Sequence, residues 1–170
     1  MLTKLVLRDF RCFQNLEVEC HPELTCFVGP NAVGKTSLLE AVSVLTRLQS
    51  PRTNSLAQLV RLGARGLVTD GFVSNYRLQF YYSATRRKLA LDAVEQKDAK
   101  AYLDVAHIVY FANSDIELVH GSADIRRRFL DFVGIQLFKN YREVLRLYEK
   151  ALRSRNLCLK VVPARKSPSK

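Results

Sequence analysis

The stretch Gly29-Pro30-Asn31-Ala32-Val33-Gly34-Lys35-Thr36-Ser37 fits the pattern G-x-x-x-x-G-K-[ST], the phosphate-binding loop of P-loop nucleotidases. An apolar, β-leaning run at residues 24–28 leads directly into this loop. A stripe of apolar residues at helical spacing follows it: Leu38, Leu39, Val42, Leu45 and Leu48. Strand, glycine loop and helix in this order are the arrangement that phosphate binding needs, so the sequence predicts a phosphate site rather than a glycine turn that binds nothing.

The residue types of the loop suit a nucleotide triphosphate. Gly29 and Gly34 lack a Cβ, so the backbone can turn sharply and come close to a ligand. Successive N–H groups and the start of the following helix then favour phosphate oxygens. Lys35 is predicted to place its charge at the β- and γ-phosphates, and the Thr36 hydroxyl is predicted to be a Mg²⁺ ligand.

Composition and charge narrow the class of protein. The chain has 170 residues, 48% of them hydrophobic and 25% charged, which is typical of one ordinary globular domain. The net charge of +11, with more arginine than lysine, indicates a polyanionic partner, and nucleic acid is favoured over a membrane. No apolar run approaches the length of a membrane span, and the first residues alternate apolar and charged side chains unlike a signal peptide, so we expect a cytoplasmic protein.

The cysteines give no metal-binding pattern. Four are present, Cys12, Cys20, Cys26 and Cys158, and no two form a C-x-x-C pair. We expect four reduced thiols with packing roles and no zinc site.

Alternation and helical spacing predict the elements of the fold. Strands are expected at residues 2–8, 16–20, 24–28, 72–82, 86–91 and 105–111, with residues 24–28 central in the sheet because that run is apolar on both sides. Helices are expected from about residue 34 to 49, at residues 56–62, and from residue 122 onward as two amphipathic stretches broken around residues 138–140. Residues 160–170 contain two prolines and no periodicity, which is typical of a disordered basic tail.

Four stretches of the chain resemble the RecF family of bacterial recombination mediators, within the structural-maintenance and ABC ATPase group. They are Leu7-Arg8-Asp9-Phe10-Arg11, the loop running on into residues 38–41, Ser50-Pro51-Arg52-Thr53 with residues 59–63, and residues 109–122 running into Arg126-Arg127-Arg128-Phe129 and later residues 148–156. The loop is common to many nucleotidases, whereas the fourth stretch is specific to this family. The match covers the chain up to about Lys160 and corresponds to the amino-terminal half of the family.

The resemblance implies an α/β fold: a P-loop ABC-type ATPase head with a mixed sheet around the Walker A strand, loop and helix, followed by amphipathic helices of a second lobe. The implied domains are residues 1–121 for the ATPase lobe, 122–159 for the start of the helical lobe and 160–170 for the tail. It further implies binding of ATP and of single-stranded or gapped DNA, ATP-dependent homodimers, companion recombination mediator proteins, and a role in replication, repair and the SOS response.

Three features depart from the family. Ala32 stands where the family usually has glycine, and an alanine is tolerable there if its φ is negative. Residues 112–115 keep only the last acid of the family's Ser-Pro-Glu-Asp. The sequence contains neither an apolar strand ending in Asp-Glu nor a Ser-Gly-Gly-Gln-like signature loop, which the family carries in its carboxy-terminal half. We therefore expect a truncated, split or frameshifted product that binds ATP and does not hydrolyse it alone.

Several arginines are candidates for ligand contacts. Arg11 follows the first strand, where related ATPase heads bring a basic residue to the nucleotide. Arg52, Arg61 and Arg65 could line a DNA path, and Arg126 and Arg127 open a predicted helix and could contact DNA phosphates. A solvated, structurally paired face explains Arg126 and Arg127 equally well, and Arg127 is predicted to pair with Asp131 at i,i+4.

Two other functions remain open from the sequence. One is a non-enzymatic DNA-binding remnant whose loop no longer holds nucleotide. The other is a P-loop kinase of a small molecule, which needs an acceptor site and an arginine-rich lid that the sequence does not display.

Overall fold

Six antiparallel strands form one sheet in the computed structural model, which describes residues 1–161. The strands are β1 (Leu2–Phe10), β2 (Phe13–Glu19), β3 (Gly66–Val73), β4 (Tyr76–Ser83), β5 (Arg87–Leu91) and β6 (Val94–Glu95). Their order across the sheet is β2-β1-β3-β4-β5-β6, and all pairs except β1 with β3 are hairpins of consecutive strands. The α/β fold class is confirmed, but this sheet is antiparallel throughout rather than mixed.

The helices divide between two compact units, Met1–Tyr110 and Phe111–Lys170. The first unit contains α1 (Lys35–Arg47) and α2 (Lys100–Asp104), and the second contains α3 (Glu117–His120), α4 (Ala123–Leu137) and α5 (Tyr141–Val161). Short 3₁₀ turns lie at Leu56–Leu59 and Asn113–Ile116, so the helix predicted at residues 56–62 is a single turn. The boundaries predicted at residues 121 and 159 stay predictions.

The core of the first unit lies between α1 and one face of the sheet. The cross-strand row Leu7, Thr69, Phe80 and Leu89 points toward this core, because paired residues of neighbouring strands share a face. Its apolar members are buried, and α1 contributes the buried side chains Leu38, Ala41, Val44 and Leu45, followed by Leu48 at its C-cap. The aromatic side chain of Phe80 is therefore a packing residue.

The long strand predicted at residues 72–82 is instead a hairpin. Val73 pairs with Tyr76, and the two residues between them make the turn, with Ser74 at φ 56°. Neither of these two residues is glycine or proline, so the sequence gives no strong turn signal here. The alternation of side chains therefore predicts one continuous strand. The partner predicted at residues 86–91 is confirmed as β5.

Two predicted strands are wrong. Residues 24–28 and 105–111 belong to no strand, and no strand within residues 1–161 pairs with either of them. Val28 and Val109 are almost fully exposed, at 94% and 98%. A strand needs a neighbour to accept and donate its backbone hydrogen bonds, and the described residues supply none here.

The second unit contains the predicted helix pair, interrupted at residues 138–140 as expected. The Tyr141 hydroxyl donates to Asp131 at 2.9 Å, and the Tyr141 ring lies so close to Gly134 that a Cβ there would come within 2.7 Å of it. Glycine therefore allows α4 and α5 to meet. Residues 162–170 of the predicted basic tail lie outside the described part of the chain.

None of the helices within residues 1–161 combines the length and the apolar character that crossing a bilayer requires. Over the same residues, no group of three or more His, Cys, Asp or Glu side chains is placed to hold a metal ion, and all four cysteines are free thiols.

Candidate functional site

The Walker loop leads directly into α1. Gly34 is the N-terminal cap with φ 104°, Lys35 is the first helical residue, and Leu38 N–H donates to the Gly34 carbonyl at 3.0 Å. Thr36 and Ser37 therefore lie in the first turn, where backbone N–H groups have no partner within the helix. This is the local geometry that anion binding at a helix start requires.

Gly34 is required sterically as well as for its φ. A Cβ at this position would lie 2.5 Å from the Phe13 ring and 2.7 Å from the Cys12 sulfur. The turn between β1 and β2 is thus packed against the loop, and that turn begins at Arg11. The packing places Arg11 beside a loop that is 23 residues away in sequence (Arg11 to Gly34).

The Lys35 ammonium group bends back over its own loop. Its Nζ donates to the carbonyls of Gly29 at 2.7 Å and Pro30 at 2.6 Å, and these bonds are exposed. An ammonium group has three donors and rotates freely, so it can exchange these carbonyls for phosphate oxygens without a change in the backbone.

Ala32 departs from expectation. Its φ is 69°, in the left-handed region, whereas the sequence argument required a negative φ. For an alanine this conformation costs roughly 1–2 kcal/mol, because the Cβ crowds the following carbonyl. The alanine therefore carries strain in this conformation, which a glycine would adopt without it.

A cavity of about 540 Å³ lies over the loop. Its walls combine loop and helix residues with side chains from the β1–β2 turn and from the segment after α1: Arg11, Cys12, Asn31, Ala32, Gly34, Lys35, Thr36, Ser37, Arg52, Gln58 and Val60. Most of the predicted cofactor-binding residues therefore share one cavity, and Arg52, a predicted DNA contact, lines the same cavity. The glycine loop, the free helix start and three cationic side chains fit a nucleotide triphosphate.

Glu40 is a member of the site that the sequence argument missed. Its side chain on α1 is completely buried, and it accepts two hydrogen bonds from Arg11, at 2.9 Å from Nε and 2.7 Å from Nη2. It also accepts from the Ser50 hydroxyl at 2.5 Å and from Arg52 Nη1 at 3.3 Å. An acidic residue between the apolar Leu39 and Ala41 was the only signal that the sequence offered.

The carboxylate of Glu40 stays ionised despite its burial. Burial alone raises its pKa, but hydrogen bonds from Arg11 and Ser50, together with the charges of Arg11 and Arg52, outweigh burial and hold the pKa below its usual value. The site therefore contains a buried negative charge between two guanidinium groups.

The remaining predicted DNA contacts belong to both units. Arg61 pairs with Asp9 at 2.7 Å, and Arg65 is exposed. In the second unit, Arg126 lies 3.3–3.4 Å from three backbone carbonyls at the end of α3, and Arg127 pairs with Asp124 at 2.7 Å. The predicted Arg127–Asp131 pair is wrong, because Asp131 accepts from a tyrosine of α5 and Asp124 lies one turn earlier on the same face.

Comparison with known proteins gives a consistent family signal. A family model described as the AAA ATPase domain matches residues 1–150. The chain is 35% identical over 170 residues to the DNA replication and repair protein RecF of Lactobacillus johnsonii, covering 98% of this chain and 46% of that relative. It is 32% identical over 164 residues to RecF of Staphylococcus haemolyticus, covering 94% and 44% respectively.

Solved structures extend the similarity to the fold. The structure of the recombination mediator protein RecF-ATP in the RecFOR pathway aligns with a TM-score of 0.88 at 25% identity, over 99% of this chain and 47% of that chain. A structure from work on ATP-driven dimerization and DNA-stimulated activation of SMC ATPases aligns at 0.63 with 15% identity, over 78% of this chain and 98% of that one, and indicates a shared fold alone. The resemblance to the amino-terminal half of RecF is confirmed, and the chain spans about half the length of the curated relatives it matches.

Proposed function

Since the chain belongs to the AAA ATPase domain family, we propose that it binds ATP through the Walker loop and acts in RecF-like DNA replication and repair. The observation that supports nucleotide binding best is the cavity over the loop, where Lys35, Arg11 and Arg52 supply positive charge beside a free helix start. A triphosphate carries the negative charge that this set of donors requires.

Individual residues have distinct proposed roles. The loop backbone, residues 29–34, surrounds the phosphates, and Lys35 exchanges its two carbonyl partners for phosphate oxygens. Thr36 and Ser37 present the first-turn N–H groups, and the Thr36 hydroxyl would hold Mg²⁺, which neutralises phosphate charge when bound. Arg11 adds a guanidinium group from the β1–β2 turn.

Calorimetric titration with Mg-ATP tests this site. The wild-type chain should bind, and Lys35→Ala should lose binding, because the group that neutralises the β- and γ-phosphates is gone. Lys88→Ala is the matched control, since Lys88 is a lysine paired with Glu95 on the opposite side of the sheet from α1. Equal affinity in the wild type and Lys35→Ala would refute the assignment.

Hydrolysis is not part of the proposal for this chain alone. The sequence contains no Asp-Glu strand end and no signature loop to activate water or complete a site across a dimer. Steady phosphate release by the purified chain, abolished by Lys35→Ala, would contradict this part of the proposal.

The proposed DNA partner is single-stranded or gapped DNA. The net charge of +11 and the exposed side chains of Arg65, Arg126 and Arg127 support it. Each phosphate neutralised by an arginine adds about 0.9 to the log–log salt slope on duplex and about 0.7 on single strands. Fluorescence anisotropy with gapped and single-stranded oligonucleotides over a salt series should give such slopes. An affinity that does not change with salt concentration would exclude phosphate contacts of this kind.

The same RecF-like proposal includes ATP-dependent homodimers, companion mediator proteins, the SOS response and a cytoplasmic location.

A further inference from the structure

Glu40 is a buried charge that nucleotide binding does not by itself explain. An ionised carboxylate only accepts hydrogen bonds, so it cannot bind phosphate oxygens directly. Burying such an ion costs several kcal/mol unless it is paired. Glu40 lies on α1, five positions after Lys35, and its side chain is fully buried. Its four hydrogen bonds come from three side chains, and two of those side chains, Arg11 and Arg52, line the cavity over the Walker loop.

The contacts fix the Arg11 guanidinium in one orientation. Glu40 receives Nε–H and one Nη2–H as a two-pronged pair, and the Gln58 carbonyl receives one Nη1–H at 2.9 Å. A guanidinium group has five N–H donors, so two are left over. Those two belong to Nη1 and Nη2 of a side chain that is 24% exposed and lines the cavity.

The backbone of Arg11 is fixed as well. Its φ is 52°, a left-handed conformation that a non-glycine residue adopts only when its surroundings impose it. Its N–H donates to the Leu59 carbonyl at 2.7 Å. Both the main chain and the side chain of Arg11 are therefore held by contacts from other segments.

The charges around Glu40 do not cancel. One carboxylate faces two guanidinium groups, which leaves one positive charge, and Lys35 adds a second at the loop. Glu40 can therefore order the arginines without removing the attraction for an anion. Arg52 has a single, longer contact to Glu40 and is 47% exposed, so Arg11 is the more firmly held of the two.

We propose that Glu40 is a positioning residue of the nucleotide site: its carboxylate holds the Arg11 guanidinium so that the two remaining N–H donors meet the phosphate oxygens. This inference rests on the proposed function. It differs from a purely structural ion pair in one respect, since a structural pair would affect folding stability and leave the affinity of the folded protein for nucleotide unchanged.

A double-mutant cycle in nucleotide affinity tests the inference. Mg-ATP titrations on the full chain compare wild type, Glu40→Gln, Arg11→Ala and the double variant, at a temperature where circular dichroism finds each of them folded. Glu40→Gln keeps the side-chain size but removes the charge, so we expect about tenfold weaker binding, the scale of one charge-assisted hydrogen bond. Because Glu40 acts through Arg11, the double variant should bind no more weakly than Arg11→Ala alone.

Two further variants keep the test decisive. Glu95→Gln, which removes an exposed carboxylate paired with Lys88, should bind like wild type. Arg11→Lys keeps the positive charge but cannot make the two-pronged contact, so it too should lose about tenfold, and it serves as the test if Glu40→Gln does not fold. Wild-type affinity in either Glu40→Gln or Arg11→Lys, with Lys35→Ala still inactive in binding, would overturn the inference and leave the proposed function standing. If the wild type itself does not bind Mg-ATP, the proposed function fails and the inference fails with it.

Discussion

Leu7 in β1 is completely buried, whereas Leu24, in the run before the Walker loop, is 73% exposed. Leu7 belongs to a strand in which apolar and charged side chains alternate, Leu24 begins a run that is apolar on both sides, and both lie in the unit Met1–Tyr110. β1 has β2 on one side and β3 on the other, while residues 24–28 have no paired strand within residues 1–161. The difference between these two leucines therefore follows strand pairing, and apolar composition alone does not bury a side chain in this unit.

The segment at residues 105–110 repeats the pattern of residues 24–28. Ala106 is buried, the neighbouring His107 and Val109 are exposed, and the segment again belongs to no strand. Both segments contact the core with some side chains, Phe27 and Val105 among them, and present the others to solvent. They differ from the sheet in having no ladder of backbone hydrogen bonds, so their side chains should contribute little to stability.

A matched pair of leucine truncations gives the largest expected effect. Leu7→Ala should cost about 2–5 kcal/mol, because it removes a fully buried side chain and leaves a cavity against α1. Leu24→Ala should change the free energy of unfolding by less than about 0.5 kcal/mol, as for other exposed positions. Urea unfolding followed by circular dichroism measures both, and equal costs would mean that residues 24–28 are packed in solution.

The same contrast explains how much of the fold the sequence could predict. β1, β2 and β5 were predictable because alternation and short turns are local signals, and α1 because its apolar stripe follows the loop. Residues 24–28 and 105–111 were mispredicted because a strand also depends on a partner, which the local pattern does not contain. The turn at Ser74 was missed because no glycine or proline marks it.

The second prediction compares two glutamates, the buried Glu40 and the exposed Glu95. At pH 7, Glu40→Gln should lower the free energy of unfolding by about 1.5–3 kcal/mol, the range for hydrogen bonds to a charged group. The pKa of Glu40 in the folded chain lies below the value of about 4.3 for an unfolded glutamate, so the stabilisation is fully present above that pH. It is lost as pH falls through the folded pKa.

Urea unfolding at a series of pH values from 7 to 3 checks this dependence. The gap between wild type and Glu40→Gln should be constant at neutral pH and should shrink as the pH falls below the unfolded glutamate value of about 4.3. Glu95→Gln should show no resolvable gap at any pH, because water screens an exposed pair. A gap that widens in acid would reverse the assigned direction of the Glu40 pKa shift.

Glu40 is the part of the candidate site that could not be predicted from the sequence. The Walker loop was predictable because its function depends on consecutive residues at fixed spacing. The Glu40–Arg11 contact joins residues 29 positions apart, and neither residue type indicates the other. The sequence shows only an acidic residue between the apolar Leu39 and Ala41 and does not indicate its partner.

The third prediction compares two hydroxyl groups within the buried region. The Tyr102 hydroxyl donates to the Leu45 carbonyl at 2.7 Å, and burial raises its pKa, so it stays protonated and able to donate. The Thr69 hydroxyl is the one buried side-chain polar atom without a partner in the described part of the chain. Tyr102→Phe should cost about 1 kcal/mol, whereas Thr69→Val should be neutral or stabilising by up to about 1 kcal/mol. Thermal unfolding would detect opposite shifts, and a destabilised Thr69→Val would indicate a hidden partner.

The smallest expected effect concerns the Walker loop, which joins residues 24–28 to α1. Ala32 has a φ of 69°, so replacing it with glycine removes the strain of its Cβ, while the unfolded chain gains freedom that offsets part of this. Ala32→Gly should therefore stabilise by about 0.5 kcal/mol. Ala90→Gly in β5, where the backbone is that of an ordinary strand, should instead destabilise by about 0.5–1 kcal/mol. If both variants instead lose stability equally in urea, the loop does not hold Ala32 in the left-handed conformation in solution.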